Sequence, residues 1–130
     1  MATGLAASLA NALLDAIGNA TNVTAPTAFY MKLHTGDPGS AGTSNAAGET
    51  TRKSVSMGAA SGGIMSNDAQ VQWTNYPNGT DVLTHVSFWD HVSAGTFLGS
   101  DALAASRSPA SGDTVTLAVG ELDISLTVAA

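Results

Sequence analysis

The chain carries three histidines, His34, His85 and His91, the side chains that most often do acid–base or metal chemistry near neutral pH. None of them belongs to an H-x-H, H-x-x-x-H or H-E-x-x-H pattern, so their spacing predicts no metal site. His34 ends an alternating apolar segment and precedes Asp37 in a turn rich in Gly and Pro. We expect it to bond local backbone groups. His85 is expected on the less apolar side of a strand, and His91 in a turn.

Carboxylates and nucleophiles give no stronger signal. Most aspartates stand beside turns, where Asp is favoured because its side chain bonds nearby backbone amides: Asp37, Asp68, Asp81, Asp90, Asp101 and Asp113. The sequence contains no calcium loop of the D-x-D-x-D-G type, no G-x-S-x-G elbow, no phosphate-binding G-x-x-x-x-G-K-[ST] loop and no cysteine. We therefore predict no catalytic residue, no cofactor and no metal, and expect that the protein is not an enzyme.

Composition limits the partners. Charged residues make up 11% of the 130, and ten acids against four bases give a net charge of −6. Nucleic acid is not an expected partner, because phosphate binding needs clustered Lys and Arg. The uncharged run before Asp15 is shorter than the roughly 20 apolar residues of a membrane span, and no cationic start of a secretory signal precedes it. These features predict synthesis in a cytoplasm and no membrane association.

The N-terminal segment predicts a helix over residues 3–17, capped by Thr3 and ended by Gly18. One apolar stripe recurs every four residues, with Leu14 beside it: Leu5, Leu9, Leu13 and Ile17. The opposite side carries alanines and few polar residues. Two interpretations stay open: the helix lies on its own domain's sheet, or it packs against other copies or a neighbouring protein.

The rest of the chain reads as short strands between turns. Strands are predicted at 28–33, 52–57, 70–73, 83–89, 96–98, 102–103, 114–118 and 122–128, with an extended surface loop over 34–48. In the clearest strand Val86 and Phe88 face one way, and His85, Ser87 and Trp89 face the other. We predict a mainly β protein, a jelly-roll-like β-sandwich over residues 28–130 with one N-terminal helix, all in a single domain of residues 1–130.

Aromatic residues allow a second kind of function. Trp73 and Tyr76 flank a turn, and Trp89 stands beside Asp90 and His91, as in sites where exposed rings stack on a sugar. A core this poor in large side chains also needs these rings inside, and we favour the core for them.

Four segments stand out by their order and spacing: FYMKLHTGDPG at 29–39, GETTRK at 48–53, GAASGG at 58–63 and THVSFWD at 84–90. Together they resemble a family of small virion proteins of tailed bacteriophages, usually labelled tail fibre or minor tail protein, and the similarity covers nearly the whole chain. The resemblance implies a non-enzymatic particle component, made in the host cytoplasm and present in the virion. Its expected partners are copies of itself, with a trimer among the forms expected, and other virion proteins. The resemblance also implies that related members of the family decorate capsids.

The sequence thus predicts a structural virion protein that acts through protein–protein packing, either a minor tail or fibre-type protein or a capsid decoration protein. The residues expected at the oligomer or assembly interface are Leu5, Leu9, Leu13, Ile17, His34 and Asp37. The alternative is a carbohydrate-binding module for a host cell-surface glycan, with Trp73, Tyr76 and Trp89 as its contacts.

Overall fold

A computed structural model describes residues 3–126 and 128–129. Within that part of the chain one helix follows a short first strand, and all other regular elements are strands. They are β1 (Gly4–Leu5), α1 (Ala7–Gly18), β2 (Tyr30–His34), β3 (Lys53–Ser54), β4 (Ile64–Ser66), β5 (Val71–Trp73), β6 (Leu83–Trp89), β7 (Phe97–Arg107), β8 (Val115–Leu117) and β9 (Asp123–Ser125).

The largest layer is a five-stranded antiparallel sheet with the order β1-β7-β6-β2-β3. In its centre β2 and β6 pair with Met31 opposite Phe88 and Leu33 opposite Val86. These four side chains are at most 3% exposed. Because side chains alternate along a strand, the same pairing directs His34, Ser87 and Trp89 to the other side of the sheet, here called the outer face.

The second layer consists of two antiparallel ladders, β5 with β8 and β4 with β9. Val71 and Trp73 of β5 and Val115 and Leu117 of β8 join the residues of the inner sheet face in one core cluster. Leu122, just before β9, is also buried. The mainly β, sandwich-like architecture with one N-terminal helix, predicted from the sequence, is confirmed.

The helix begins later than predicted. It starts at Ala7, not at Thr3, because Gly4–Leu5 forms an edge strand opposite Ser100 and Gly99. This close approach requires a glycine, since a side chain at Gly99 would stand 2.7 Å from the carbonyl oxygen of Gly4. The expected caps are also wrong: Ala6 precedes the helix without a side-chain cap, and Gly18 is its last residue.

Several strands differ from the sequence prediction, and the one expected at 52–57 is reduced to Lys53–Ser54. The short pieces expected at 96–98 and 102–103 are parts of one long strand, β7, which is irregular where it passes β6. The strand β4 follows the turn expected at 61–63 and was not predicted. The last strand is shorter than the expected 122–128, of which residue 127 lies outside the described part of the chain. In the described residues, no helix has both the length and the apolar character needed to cross a membrane.

Candidate functional site

The long loop predicted after the first strand folds back over the outer face. Its residues 35–45, here called the covering loop, leave β2 after His34 and return to bridge with it at Ala46. The loop is held together by bonds within itself. The amide of Thr35 donates to the carbonyl of Asn45 at 2.8 Å, and that of Ser44 to Pro38 at 2.9 Å. The covering loop is therefore a compact unit attached to the sheet at its base.

His34 connects this loop to the sheet. Its Nδ1 lies 2.8 Å from the carbonyl oxygen of Ser44, and its Nε2 lies 2.7 Å from the hydroxyl oxygen of Ser87. A carbonyl can only accept, so Nδ1 carries the proton, and the neutral ring accepts at Nε2 from the Ser87 hydroxyl. The same hydroxyl oxygen accepts from the indole Nε1 of Trp89 at 2.8 Å. Both ring nitrogens of His34, the Ser87 hydroxyl and the Trp89 indole N–H thus all have partners.

A serine bonded to a histidine nitrogen is also the arrangement of a nucleophile and its base. Here, however, both His34 and Ser87 are 0% exposed. Burial lowers the pKa of His34, and the nearby charge of Lys32 acts in the same direction, although the bond to Ser44 opposes them. A hydroxyl that no substrate can reach does not attack one, so in this conformation the pair joins loop and sheet.

The second contact between covering loop and sheet is that of Gly42 with a pair of tilted aromatic rings. The rings of Trp89 and Phe97 lie 5.4 Å apart between centroids, and the Arg52 guanidinium lies 3.9 Å from the Trp89 ring centroid. Gly42 packs against Phe97 so closely that a methyl group there would overlap the ring. Its φ of 73° is also one that favours glycine. The Arg52 guanidinium further donates to the carbonyls of His91 and Ala94 at 2.9 and 2.6 Å.

The three rings considered for sugar contact lie inside the protein. Trp73 and Tyr76 are 0% exposed and Trp89 is 7% exposed. Their polar atoms are used internally: the Trp73 indole donates to the carbonyl of Thr51 at 2.8 Å, and the Tyr76 hydroxyl to Asp81 at 2.6 Å. In this structure none of the three offers a free ring face on which a sugar could stack, and the core position we favoured for them is the one observed.

Asp81 is the centre of a smaller polar cluster. Its Oδ2 accepts from the Tyr76 hydroxyl and from the amide of Gly48 at 2.8 Å, and these two bonds lower the pKa of the Asp81 carboxyl. Burial, followed by the bond to Asp81, raises the pKa of Tyr76. The cluster ties the end of the long loop to the segment before β6.

The remaining titratable groups do not converge. His85 lies opposite His34 in the sheet but bonds the Thr84 hydroxyl, and His91 is exposed with its Nδ1 3.5 Å from Asp90. Among residues 3–126 and 128–129, no three His, Asp or Glu side chains are placed to hold one metal ion. The structure brings His34 and His85 to neighbouring positions, but it does not gather the histidines with carboxylates into a pocket.

A cavity of about 410 Å³ lies between β1, the start of α1, the inner sheet face and β9. Its wall is largely apolar, with Leu9, Phe88 and Leu98, and Asp101 and Asp123 also line it. Both carboxylates have protein partners, since Asp101 accepts from the amide of Ala102 and Asp123 from the Ser66 hydroxyl. Burial raises the pKa of Asp101, with Asp123 adding to the effect. The cavity is thus a largely apolar space beside the helix, with its two carboxylates bonded within the chain.

The predicted interface residues fall into three different environments. Leu5, Leu9 and Leu13 are partly buried, and Leu9 packs against the core. Ile17 is 85% exposed. His34 is wholly inside its own chain, so the expectation that it contacts a neighbour is wrong for its side chain. Asp37 is half-buried and accepts from the amide of Gly39 at 2.8 Å.

A second apolar strip on α1 shares only Ile17 with the predicted interface residues. Leu14 is 66% exposed and lies in line with Ile17 and two alanines. This strip, here called the exposed seam, consists of Ala7, Ala10, Leu14 and Ile17. Its 3-4-3 spacing was available in the sequence, but the four-residue stripe beside it was the longer pattern.

Nothing in the sequence marked Ser44 or Ser87 as partners of His34, because they lie far from it along the chain.

Comparison with known proteins places the chain in a family. A search among curated proteins gave no match. A family model described as podophage GP4 fiber I protein gp80 matches residues 4–125, which include every helix and strand listed above. The tailed-phage resemblance predicted from the sequence is thereby confirmed. The chain belongs to the podophage GP4 fiber I protein gp80 family, a family of bacteriophage fibre proteins.

Proposed function

We propose that this protein is a non-enzymatic structural component of a bacteriophage virion, of the fibre or minor tail type, and that it acts by packing against copies of itself and other virion proteins. Membership of a phage fibre family supports the structural role in the particle. The observation that carries the packing mechanism is α1: this helix of 12 residues has no buried residue.

A helix of this kind is poorly supported by its own chain. Helices shorter than about 12–15 residues are marginal in water and take most of their stability from packing of an apolar face. Here the N-terminal end has no side-chain cap, and the first and last turns hold no charge that complements the helix dipole. The half-buried side supplies some packing through Leu9. Leu14 and Ile17 of the exposed seam supply little, since they are 66% and 85% exposed.

The exposed seam fits a second helix. Positions separated by three and four residues keep the same side toward a helical partner, as in coiled coils. Alanines at two of the four positions allow the backbones to come close, while Leu14 and Ile17 provide the apolar area. Full burial of such a side chain contributes about 1.5–3 kcal/mol. We assign the seam to contact with α1 of another copy, in an oligomer for which a trimer is the form we favour.

The experiment is a measurement of molar mass by light scattering on Leu14→Asp and Ile17→Asp variants. If the seam joins copies, either change places a charge in the contact and the oligomer dissociates. The matched controls are Ser8→Asp and Asn11→Asp, which add the same charge on the polar side of α1 and should leave the mass unchanged. Equal masses for all four variants and the wild type would reject the seam as the contact.

Leu9→Asp and Leu13→Asp are less informative than the sequence suggests. Leu9 and Leu13 are among the predicted interface residues, but both side chains are partly buried against their own chain. A charge there would disturb the fold as well as any contact with a neighbour. Circular dichroism of each variant must therefore accompany the mass, and only variants with the wild-type spectrum bear on assembly.

Location on the particle is proposed as the tail fibre region, with capsid decoration as the alternative. A tag on the C-terminus, imaged on whole virions with gold-labelled antibody, separates the two. Label confined to the tail supports the proposal, and label spread over the shell at symmetric positions would replace it with decoration.

For a carbohydrate-binding module we find no supporting observation, because Trp73, Tyr76 and Trp89 are buried.

A further inference from the structure

We propose that His34 is an acid-sensitive latch: in its neutral form it holds the covering loop on the outer face, and its protonation releases the loop. The proposal rests on the position of the ring between loop and sheet, on its complete burial and on the bonds it makes at both nitrogens.

Hydrogen bonds within the covering loop hold it together as one unit. Bonds within it run from Thr35 to Asn45, from Ser44 to Pro38 and from Gly42 to Gly39, and none of these involves the sheet. The Asn45 side chain adds a bond to the carbonyl of Asp37 at 2.9 Å. The contacts with the outer face described above are those of Ser44 with His34 and of Gly42 with Phe97. Pro38 of the loop is also fully buried. Opening the loop therefore releases the contacts of Ser44 and Gly42 and exposes Pro38, while the internal bonds of the loop stay intact.

Protonation changes what the ring can do. A proton on Nε2 turns an acceptor into a donor, so the Ser87 oxygen then receives hydrogen bonds from both His34 and Trp89. The Ser87 hydroxyl hydrogen loses its acceptor at a site with no exposure. A buried imidazolium also lacks the water that stabilises its charge. Because the covering loop separates the ring from solvent, opening the loop is the movement that hydrates it.

The charges around the ring favour the same response. Lys32 on β2 and His85 on β6 both disfavour a positive His34. Arg52 lies beyond Trp89 on the same face, and it is positive at every relevant pH. The acid of the loop, Asp37, accepts from the amide of Gly39 through Oδ1. Burial is the largest cause of the lowered pKa of His34, so the folded ring is neutral where a free histidine begins to charge.

The dependence of loop closure on pH follows from the difference in the His34 pKa between the open and the closed loop. In the open loop the ring is expected to titrate near its ordinary value of 6.5, and in the closed loop it titrates lower. The contribution of the neutral ring to closure is therefore fully present above pH 6.5 and is lost as the pH falls below it. Between the His34 pKa of the open loop and that of the closed loop, the ratio of open to closed loop should rise by up to about tenfold for each unit that the pH falls.

Hydrogen exchange followed by mass spectrometry tests the latch. Protection factors for the covering loop, corrected for the intrinsic rate at each pH, should fall between pH 6 and pH 5 by at most about tenfold, while those of β6 stay constant. In His34→Asn the side-chain amide can still donate to Ser44 but does not titrate, so loop protection should not vary with pH. The matched control is His91→Asn, at an exposed histidine, and it should keep the wild-type response.

Two results would overturn the proposal: loop protection in the wild type that does not change between pH 7 and pH 5, or the same fall in His34→Asn. A poorly folded His34→Asn does not stop the test. Nuclear magnetic resonance of the wild type then follows the His34 ring and the loop amides together. Titration of the ring without a matching shift in the loop amides also rejects the latch.

Discussion

The outer face and α1 differ in whether their side chains find partners within the chain. On the outer face, polar groups that would be unsatisfied are covered and paired: His34, Ser87 and Trp89 form one bonded chain under the covering loop. On α1, apolar side chains stay uncovered, with Leu14 66% and Ile17 85% exposed. The first region completes its interactions within one chain. The second does not.

The difference shows where a partner is needed. Buried polar groups bond within the chain because an unpaired one costs about 1–3 kcal/mol. Exposed apolar groups carry a smaller penalty and can remain until another surface covers them. We therefore expect substitutions on the outer face to change the stability of a single chain, and substitutions on the exposed seam to change association. The predictions below test this division.

The largest effect is expected from Ser87→Ala. The change leaves Nε2 of His34 without a donor and the Trp89 indole without an acceptor, both in the interior. Two unpaired buried groups should lower the free energy of unfolding by about 2–4 kcal/mol in urea titration. Ser54→Ala, at an exposed position of the same sheet, should stay within about 0.5 kcal/mol of the wild type. A similar small change for Ser87→Ala would contradict the importance of the bonded chain.

A comparison of two glycines tests the loop contact. Gly42 and Gly62 have φ angles of 73° and 61°, so alanine is strained at both. At Gly62 a new methyl group meets nothing within 4 Å, whereas at Gly42 it overlaps Phe97. Gly62→Ala should lower the free energy of unfolding by about 1 kcal/mol. Gly42→Ala should lower it by about 2–3 kcal/mol, since overpacking is added to the same strain.

The double variant Gly42→Ala with Phe97→Leu distinguishes overlap from strain. A smaller side chain at position 97 makes room for the methyl group, so the added cost of Gly42→Ala should be smaller in the Phe97→Leu background than alone. If the cost is the same in both backgrounds, the covering loop is not held against Phe97 in solution.

Tyr76→Phe should have a moderate effect that depends on pH. The bond from Tyr76 is the largest cause of the lowered Asp81 pKa, and a bond to a charged group contributes about 1.5–3 kcal/mol. A lowered carboxyl pKa stabilises the fold above the ordinary value of 3.8, and this contribution is lost as the pH falls below it. Tyr76→Phe should therefore be less stable at pH 7 and lose less stability between pH 4 and pH 2.

Tyr30→Phe serves as the control for that experiment, because its ring is only partly buried on the outer face. Its pH profile should follow that of the wild type. A Tyr76→Phe profile with the wild-type slope below pH 4 would mean that the Asp81 cluster does not hold in solution.

The sequence predicted those parts of this comparison that depend on local pattern. The alternation of Val86 and Phe88 with Ser87 and Trp89 was enough to assign the two sheet faces, and β6 has the predicted bounds. The bonds of His34 could not be predicted, because Ser87 is 53 residues away along the chain and only strand register brings it near. The start of α1 was missed for a similar reason: the pairing of Gly4–Leu5 with β7 overrides the helix propensity of the alanines and leucines around it.

The smallest effect on a single chain is expected from Leu14→Ser. In dilute protein, where the chain is a monomer, the exposed side chain packs against little, and the free energy of unfolding should stay within about 0.5 kcal/mol of the wild type. At concentrations where wild-type copies associate, the wild type should gain stability and Leu14→Ser should not, because only the folded wild type binds its partner. Thermal unfolding across a hundredfold range of concentration measures this. A loss above about 1 kcal/mol in dilute Leu14→Ser would show that its own chain covers the seam, and α1 would then be as self-contained as the outer face.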